Sequence, residues 1–241
     1  MKTSILKHDF DKKYTTLVVC FSGHPIFDRQ EGGRFEWQGF FGSRDVKTLH
    51  MRDYFYGYYF GNWYNEDGTE IGCDVNSHVG FLSKIIEESG CERVVMTGAS
   101  LGAFAAILYG VLLNVNCVMA FNPQTYISND SKSFSGLAKN AYSHATSDDQ
   151  KLYFDLTNLD YEKYTGKIHF HFGTHWSDTE YINHIKAFCK DNPHLGGRTI
   201  DNSLPDAKIY LKKHGINGHG RLCGRLKKMG KLGDYFDRYA L

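Results

Sequence analysis

Short apolar runs alternate with stretches of helical periodicity along most of this chain. Leu17 to Phe21 (LVVCF) is a β-branched run that stops at Ser22-Gly23, and Val46 to Met51 (VKTLHM) is a weaker strand of the same kind. From Val75 to Ser89 apolar side chains recur at Val79, Leu82, Ile85 and Ile86, the spacing of one helix face, and Gly90 closes the run. Arg93 to Thr97 (RVVMT) predicts a buried strand, Leu101 to Leu113 a helix of small residues, and Cys117 to Phe121 another strand. Past Pro123 the pattern is polar up to Thr165, rich in Ser, Asn and Asp, with helical pieces but no strand. Lys167 to Phe172 (KIHFHF) then predicts a strand, Thr179 to Cys189 a helix, Lys208 to Leu211 a strand, and Arg221 to Tyr239 a closing amphipathic helix.

Nearly continuous apolar strands separated by helices imply a mostly parallel sheet with helices on both faces, the α/β class. The 241 residues suit a single domain, 1–241, in which 122–166 is expected as a helical insertion capping one end of the sheet. Ligands of such sheets bind beyond the carboxyl ends of the strands, so chemistry is sought at that edge. The longest apolar stretch, Ala103 to Phe121, is interrupted by Asn114 and Asn116 and reads as helix plus strand, so no transmembrane segment is expected. The opening MKTSILKHDFDKK has no secretory apolar core.

Charge excludes more than it suggests. With 28 Lys and Arg against 27 Asp and Glu, the net charge of +1 lacks the basic excess of a nucleic-acid binder. The six cysteines are scattered without a CxxC pair, which points to reduced core thiols and a cytoplasmic location. His169 and His171 share a strand face, but no third ligand stands at a useful spacing, so no metal site is assigned and they read as packed residues. The basic residues near the C-terminus, among them Lys212, Lys213, Arg221 and Arg225, read as a solvated helix face, with an anionic substrate as the sharper alternative.

The candidate chemistry starts at Gly98-Ala99-Ser100-Leu101-Gly102, a GxSxG motif between a strand and a helix. There the glycines allow a turn sharp enough to lift the serine Oγ above the sheet, at the positive end of a helix. The Leu101 amide would face a developing oxyanion, and the amide of Gly23 or His24, after the first central strand, is the candidate second donor. A serine hydroxyl needs a general base and an orienting acid, which follow it in the order acid, then histidine. Asp178, past the KIHFHF strand and ahead of a helix, is the candidate acid, with Glu180 in reserve. His219, between glycines, suits a loop that reaches over the serine; His214, nearer the strand end, is the alternative base. Asp53 to Tyr64 (DYFYGYYFGNWY) carries eight aromatic rings beyond a strand end, some for the core and some for stacking on a sugar. Trp63, Trp176 and Gln124 are the candidate substrate contacts.

With strand, GxSxG, later acid and late histidine in that order, the chain resembles the α/β-hydrolase superfamily over nearly its whole length. It lacks an HGGG-type loop. Within the superfamily it is similar to bacterial capsular-polysaccharide O-acetyltransferases of the meningococcal serogroup A type, through FSGHP, GASLGA, FNPQ at Phe121 to Gln124, Asp178 and NGHG. The aromatic segment is a departure and leaves the acceptor unnamed. The resemblance implies an enzyme with no bound cofactor that takes acetyl-CoA as acyl donor and a carbohydrate or polysaccharide as acceptor, with Ser100, Asp178 and His219 in the matching positions. A carboxylesterase or deacetylase acting on acylated carbohydrate is the first rival. A non-catalytic glycan-binding or export-complex subunit is the second, and a homo-oligomer is left open.

Overall fold

The computed structural model describes residues 4–23, 35–53, 57–64, 67–128, 135–145, 147–199 and 207–241. The chain runs through β1 (Ser4–His8), β2 (Thr16–Phe21), the short α1 (Gln38–Phe41) and β3 (Lys47–Arg52). A small antiparallel pair, β4 (Trp63–Tyr64) with β5 (Glu70–Gly72), precedes α2 (Val75–Ser89), β6 (Arg93–Ala99), α3 (Leu101–Leu112) and β7 (Cys117–Phe121). Next come α4 (Ser135–His144), α5 (Asp148–Leu152), β8 (Lys167–Phe172), α6 (Trp176–Asp191), β9 (Gly196–Thr199) and β10 (Ile209–Lys213). The chain closes on α7 (Leu222–Lys228) and α8 (Lys231–Tyr239).

Eight strands form one sheet in the order β1-β3-β2-β6-β7-β8-β10-β9. Every pairing is parallel except that of β1 with β3. Because strand side chains alternate between faces, Leu17, Val19, Phe21, Met96, Val118 and Phe170 enter one core with α2, α3 and α6. Val18, Cys20, Val95, Cys117, Met119 and Phe121 enter the other, beneath α1, α7 and α8. Helices thus cover both faces, as the unbroken apolar strands require. Among the described residues no helix is long and apolar enough to cross a membrane.

Several elements follow directly from local chemistry. The side chain of Asp74 accepts the Ser77 amide at 2.8 Å to start α2, and Gly90, at φ +62°, ends it in the left-handed region. The expected closing helix is two helices, because Gly230 takes φ +74° between α7 and α8. β1, β4, β5 and β9 lie outside the strands that the pattern predicts. Of 122–166, the described residues contribute α4, α5 and a single 3-10 turn at Leu156–Asn158.

Candidate active site

Ser100 stands between β6 and α3 at φ +54°, ψ −122°, a conformation that costs a non-glycine residue energy and persists only where its surroundings impose it. The surroundings are backbone. A Cβ on Gly98 would lie 2.2 Å from the Gly102 oxygen, and one on Gly102 would lie 2.3 Å from the Phe21 oxygen. Both motif glycines are therefore demanded by close packing, of the turn on itself and of α3 on the end of β2. The Ser100 amide donates to the Phe121 oxygen at 2.9 Å, which fastens the elbow to β7.

Around this serine the structure gathers the expected partners. His219 Nε2 lies 2.8 Å from Ser100 Oγ, and His219 Nδ1 lies 2.6 Å from Asp178 Oδ1. A carboxylate only accepts, so Nδ1 carries the proton and Nε2 is left to accept from the Ser100 hydroxyl. The Asp178 side chain is 1% exposed and that of His219 13%, so the acid is sealed in while the base borders solvent. Among the described residues Asp178 Oδ2 has no hydrogen-bond partner. That leaves a buried negative charge facing the imidazole, which favours the imidazolium formed when His219 takes a proton. Asp178 sits in the first turn of α6, whose N-cap is His175: its side chain, not that of Asp178, accepts the Ser177 amide.

The two alternatives named from sequence go elsewhere. Glu180 accepts the Tyr126 hydroxyl on the outer side of α6. His214 is buried, with Nε2 3.0 Å from Nδ1 of His171. Burial, helped by Lys212 and Lys231, lowers its pKa to about 4. His171 stacks on Phe121 at 4.7 Å and His169 on Tyr210 at 4.8 Å, so both are packed side chains.

The oxyanion donors are placed as follows. Leu101 opens α3, where first-turn amides have no intrahelical acceptor. Gly23 lies against the elbow, since a Cβ there would fall 2.7 Å from the Ala99 oxygen. Its amide is occupied: it donates to Glu36 Oε2 at 2.6 Å. Crowding by protein raises the Glu36 pKa, and the bond from Gly23 opposes that rise in part. His24 lies outside the described residues.

Trp63 requires a correction. It is 0% exposed and stacks on His78 with ring centroids 3.9 Å apart, so it is a core residue with no face for a ligand. Tyr58, Tyr59 and Phe60 are buried with it. The apolar reach of these rings explains why: the loop folds back over α3, and Asp53 Oδ2 accepts the amides of Gly57 at 2.8 Å and Tyr59 at 3.0 Å. Tyr59 also donates to the Ser22 oxygen at 2.8 Å, so this segment buttresses the loop that carries Gly23. Trp176, by contrast, is 60% exposed at the start of α6, two positions from Asp178. Gln124, past the end of β7, is also 0% exposed and so presents no surface to a ligand, against the expectation from sequence; among the described residues neither of its amide atoms has a hydrogen-bond partner. The sequence reasoning missed Glu36 entirely, and it quoted Asn122 without giving it a role.

No protein-family model matches this chain, and no curated protein matches it in sequence. Solved structures do match in shape. The capsule O-acetyltransferase of Neisseria meningitidis serogroup A aligns at TM-score 0.61 and 14% identity, covering 95% of this chain and 90% of that one. A mutant of that enzyme in complex with CoA aligns at TM-score 0.63 and 15% identity, with the same coverage. The Pyrococcus furiosus esterase Pf2001 aligns at TM-score 0.57 and 15% identity, over 99% of this chain and 86% of that one. An α/β-hydrolase enzyme from a lagoon-sediment metagenome, MGS-MChE2, aligns at TM-score 0.55 and 16% identity, over 98% and 95%. Identities this low speak for the fold, and the chain has the α/β-hydrolase fold.

Proposed function

We propose that this protein is a serine-dependent O-acyltransferase that moves an acetyl group from acetyl-CoA to a hydroxyl of a bacterial surface polysaccharide. The observation that carries the serine chemistry is the unbroken line from Asp178 through His219 to Ser100, with contacts of 2.6 and 2.8 Å. His219 Nε2 takes the Ser100 proton as Oγ attacks the thioester carbonyl, and the tetrahedral oxyanion is met by the Leu101 amide. The Gly23 amide joins it when Glu36 Oε2 gives up the 2.6 Å bond that it accepts from that amide. Collapse of the intermediate breaks the C–S bond; the departing thiolate takes the proton from His219 and leaves acetyl-Ser100. In the second half the acceptor hydroxyl gives its proton to His219 and attacks the acetyl ester; collapse breaks the acyl–Oγ bond, His219 returns the proton to Ser100 Oγ, and the acetylated acceptor leaves.

No cofactor or metal enters these steps. The exposed Trp176 ring offers a flat face for a sugar. The capsule O-acetyltransferase likeness, including its CoA complex, supports the choice of donor and acceptor. A carboxylesterase working on acylated carbohydrate is the second reading, supported by the alignment to the Pf2001 esterase at TM-score 0.57. The non-catalytic reading has little to recommend it, since a binding module needs no serine, histidine and carboxylate in mutual contact.

Intact mass after brief exposure to acetyl-CoA tests the proposal, with Ser100→Ala alongside. An acetyl adduct on the wild type alone supports it. No adduct, with Ser100 still labelled by a fluorophosphonate, moves the reading to the esterase, which releases acetate at one rate with or without a sugar acceptor.

A further inference from the structure

Asn122 follows β7 directly and is 1% exposed, at φ +45° in the left-handed region that asparagine tolerates better than most residues. That twist turns its backbone amide onto the His171 oxygen at 2.6 Å, which prolongs the pairing of β7 with β8 by one residue. It also aims the side chain across the sheet edge, where both ends of the amide are used. Oδ1 accepts the Gly173 amide at 2.7 Å, and Nδ2 donates to the backbone oxygen of His219 at 2.5 Å.

These contacts join the two loops that carry the acid and the base. Gly173 begins the loop that leads into α6 and Asp178. A Cβ on it would lie 2.9 Å from Asp178 Oδ2 and 2.7 Å from the Ile216 oxygen, so the acid, its loop and the base loop meet there without slack. The Thr174 amide donates to that same Ile216 oxygen at 2.9 Å. The preceding residue, Phe121, accepts the Ser100 amide. Two consecutive residues at the end of β7 thereby hold the nucleophile, the loop of the acid and the backbone of the base.

We infer that Asn122 is a positioning residue: its amide fixes the His219 backbone against the Gly173 loop, so that one imidazole rotamer spans Asp178 and Ser100. The role rests on the serine mechanism proposed above and adds to it a group that touches no substrate. Only a carboxamide of this length supplies a donor and an acceptor on one rigid plane. Aspartate keeps the acceptor for Gly173 but turns an oxygen onto the His219 carbonyl. Glycine keeps the left-handed backbone and loses both bonds. Because reacting groups displaced by about 1 Å lose on the order of a hundredfold in rate, the effect falls on kcat.

The test compares wild type, Asn122→Asp and Asn122→Gly in p-nitrophenyl acetate turnover and in the tautomer of His219, read from two-bond proton–nitrogen correlations. Both variants are expected to unfold cooperatively and to lose about 10- to 100-fold in kcat with little change in KM. The Nδ1–H tautomer of His219 is expected to dominate in the wild type and to give way to a mixture in both variants. Wild-type kcat in Asn122→Asp together with an unchanged tautomer would overturn the role, whatever either variant does to thermal stability. If the wild type turns over no ester and Ser100 takes neither an acetyl group from acetyl-CoA nor a fluorophosphonate label, the serine mechanism falls and the tautomer decides the rest. A wild-type imidazole held as Nδ1–H and released in the variants supports the positioning role, and one equally mixed in all three refutes it.

Discussion

His214 and His219 leave the same end of β10, and their surroundings differ in three respects. His219 faces a carboxylate on one nitrogen and a hydroxyl on the other, whereas His214 faces a second imidazole, that of His171. His219 borders solvent, while the buried His214 lies against the rings of His171 and Tyr235. Cationic Lys212 and Lys231 add to the burial that lowers the His214 pKa to about 4, and His171 is driven lower still, by burial first and then by His214. The first geometry suits the proposed general base, an imidazole that gains a proton during reaction. The second is built to stay neutral. Proximity to a sheet edge does not make an imidazole a base; a paired carboxylate and an open side do.

The sharpest way to break that contrast is to remove each imidazole in turn. His219→Ala should lower ester turnover by at least ~10³-fold, as loss of a base acting in concert with a serine does. Asp178→Asn should cost nearly as much, because it permits the wrong tautomer of His219. His214→Gln should leave kcat near wild type. Steady-state kinetics on one small ester decides all three, and a loss at position 214 as large as that at 219 would dissolve the distinction.

How far the sequence could separate the two histidines depends on which interactions are local. The elbow was legible because strand, glycines, serine and helix adjoin, and the backbone contacts of Gly98 and Gly102 confirm why glycine stands there. The end of α2 was legible through Gly90, which acts within a few residues; its N-cap, Asp74, is a signal of the same local kind that the sequence analysis did not name. Nothing local says that His214 will meet His171, since that contact comes from the register of β10 on β8, where Lys213 lies opposite Phe172. Trp63 was misread for the same reason: its burial is created by His78 and Tyr109, far along the chain. Glu36 reaches Gly23 from 13 positions along the chain, and no spacing rule marks such a contact.

The buried histidines set a second, smaller effect. His50, His78, His169 and His214 have pKa values lowered to about 4, chiefly by burial, and His171 is lowered further. In the unfolded chain these groups take up protons near the ordinary value of about 6.5. Between roughly pH 6.5 and 4 the unfolded state therefore binds more protons than the native one, and stability falls as pH falls. Urea midpoints measured from pH 7.5 down to 5 should drop steadily, and His214→Gln should flatten the slope by removing one of the five. An unchanged slope in that variant would mean that His214 is protonated as readily in the folded protein as in the unfolded one.

The smallest expected effect separates the two tryptophans, whose exposure divides them as location divides the histidines. Trp176 presents its ring to solvent beside the acid, so its contribution is a stacking surface of about 0.5–1.5 kcal/mol for a sugar ring. Trp176→Ala should raise the KM for a carbohydrate acceptor by about two- to tenfold, the same free energy expressed as an affinity, and leave acylation of Ser100 by a small donor untouched. Trp63 makes its contacts inside the core, against His78, Phe81 and Tyr109. Trp63→Phe should then lower the thermal midpoint while the acceptor KM stays where it was. Acceptor-dependence curves for both variants, run beside their unfolding curves, sort the two effects. If Trp176→Ala shifts only stability, the exposed ring at the start of α6 is not a sugar platform.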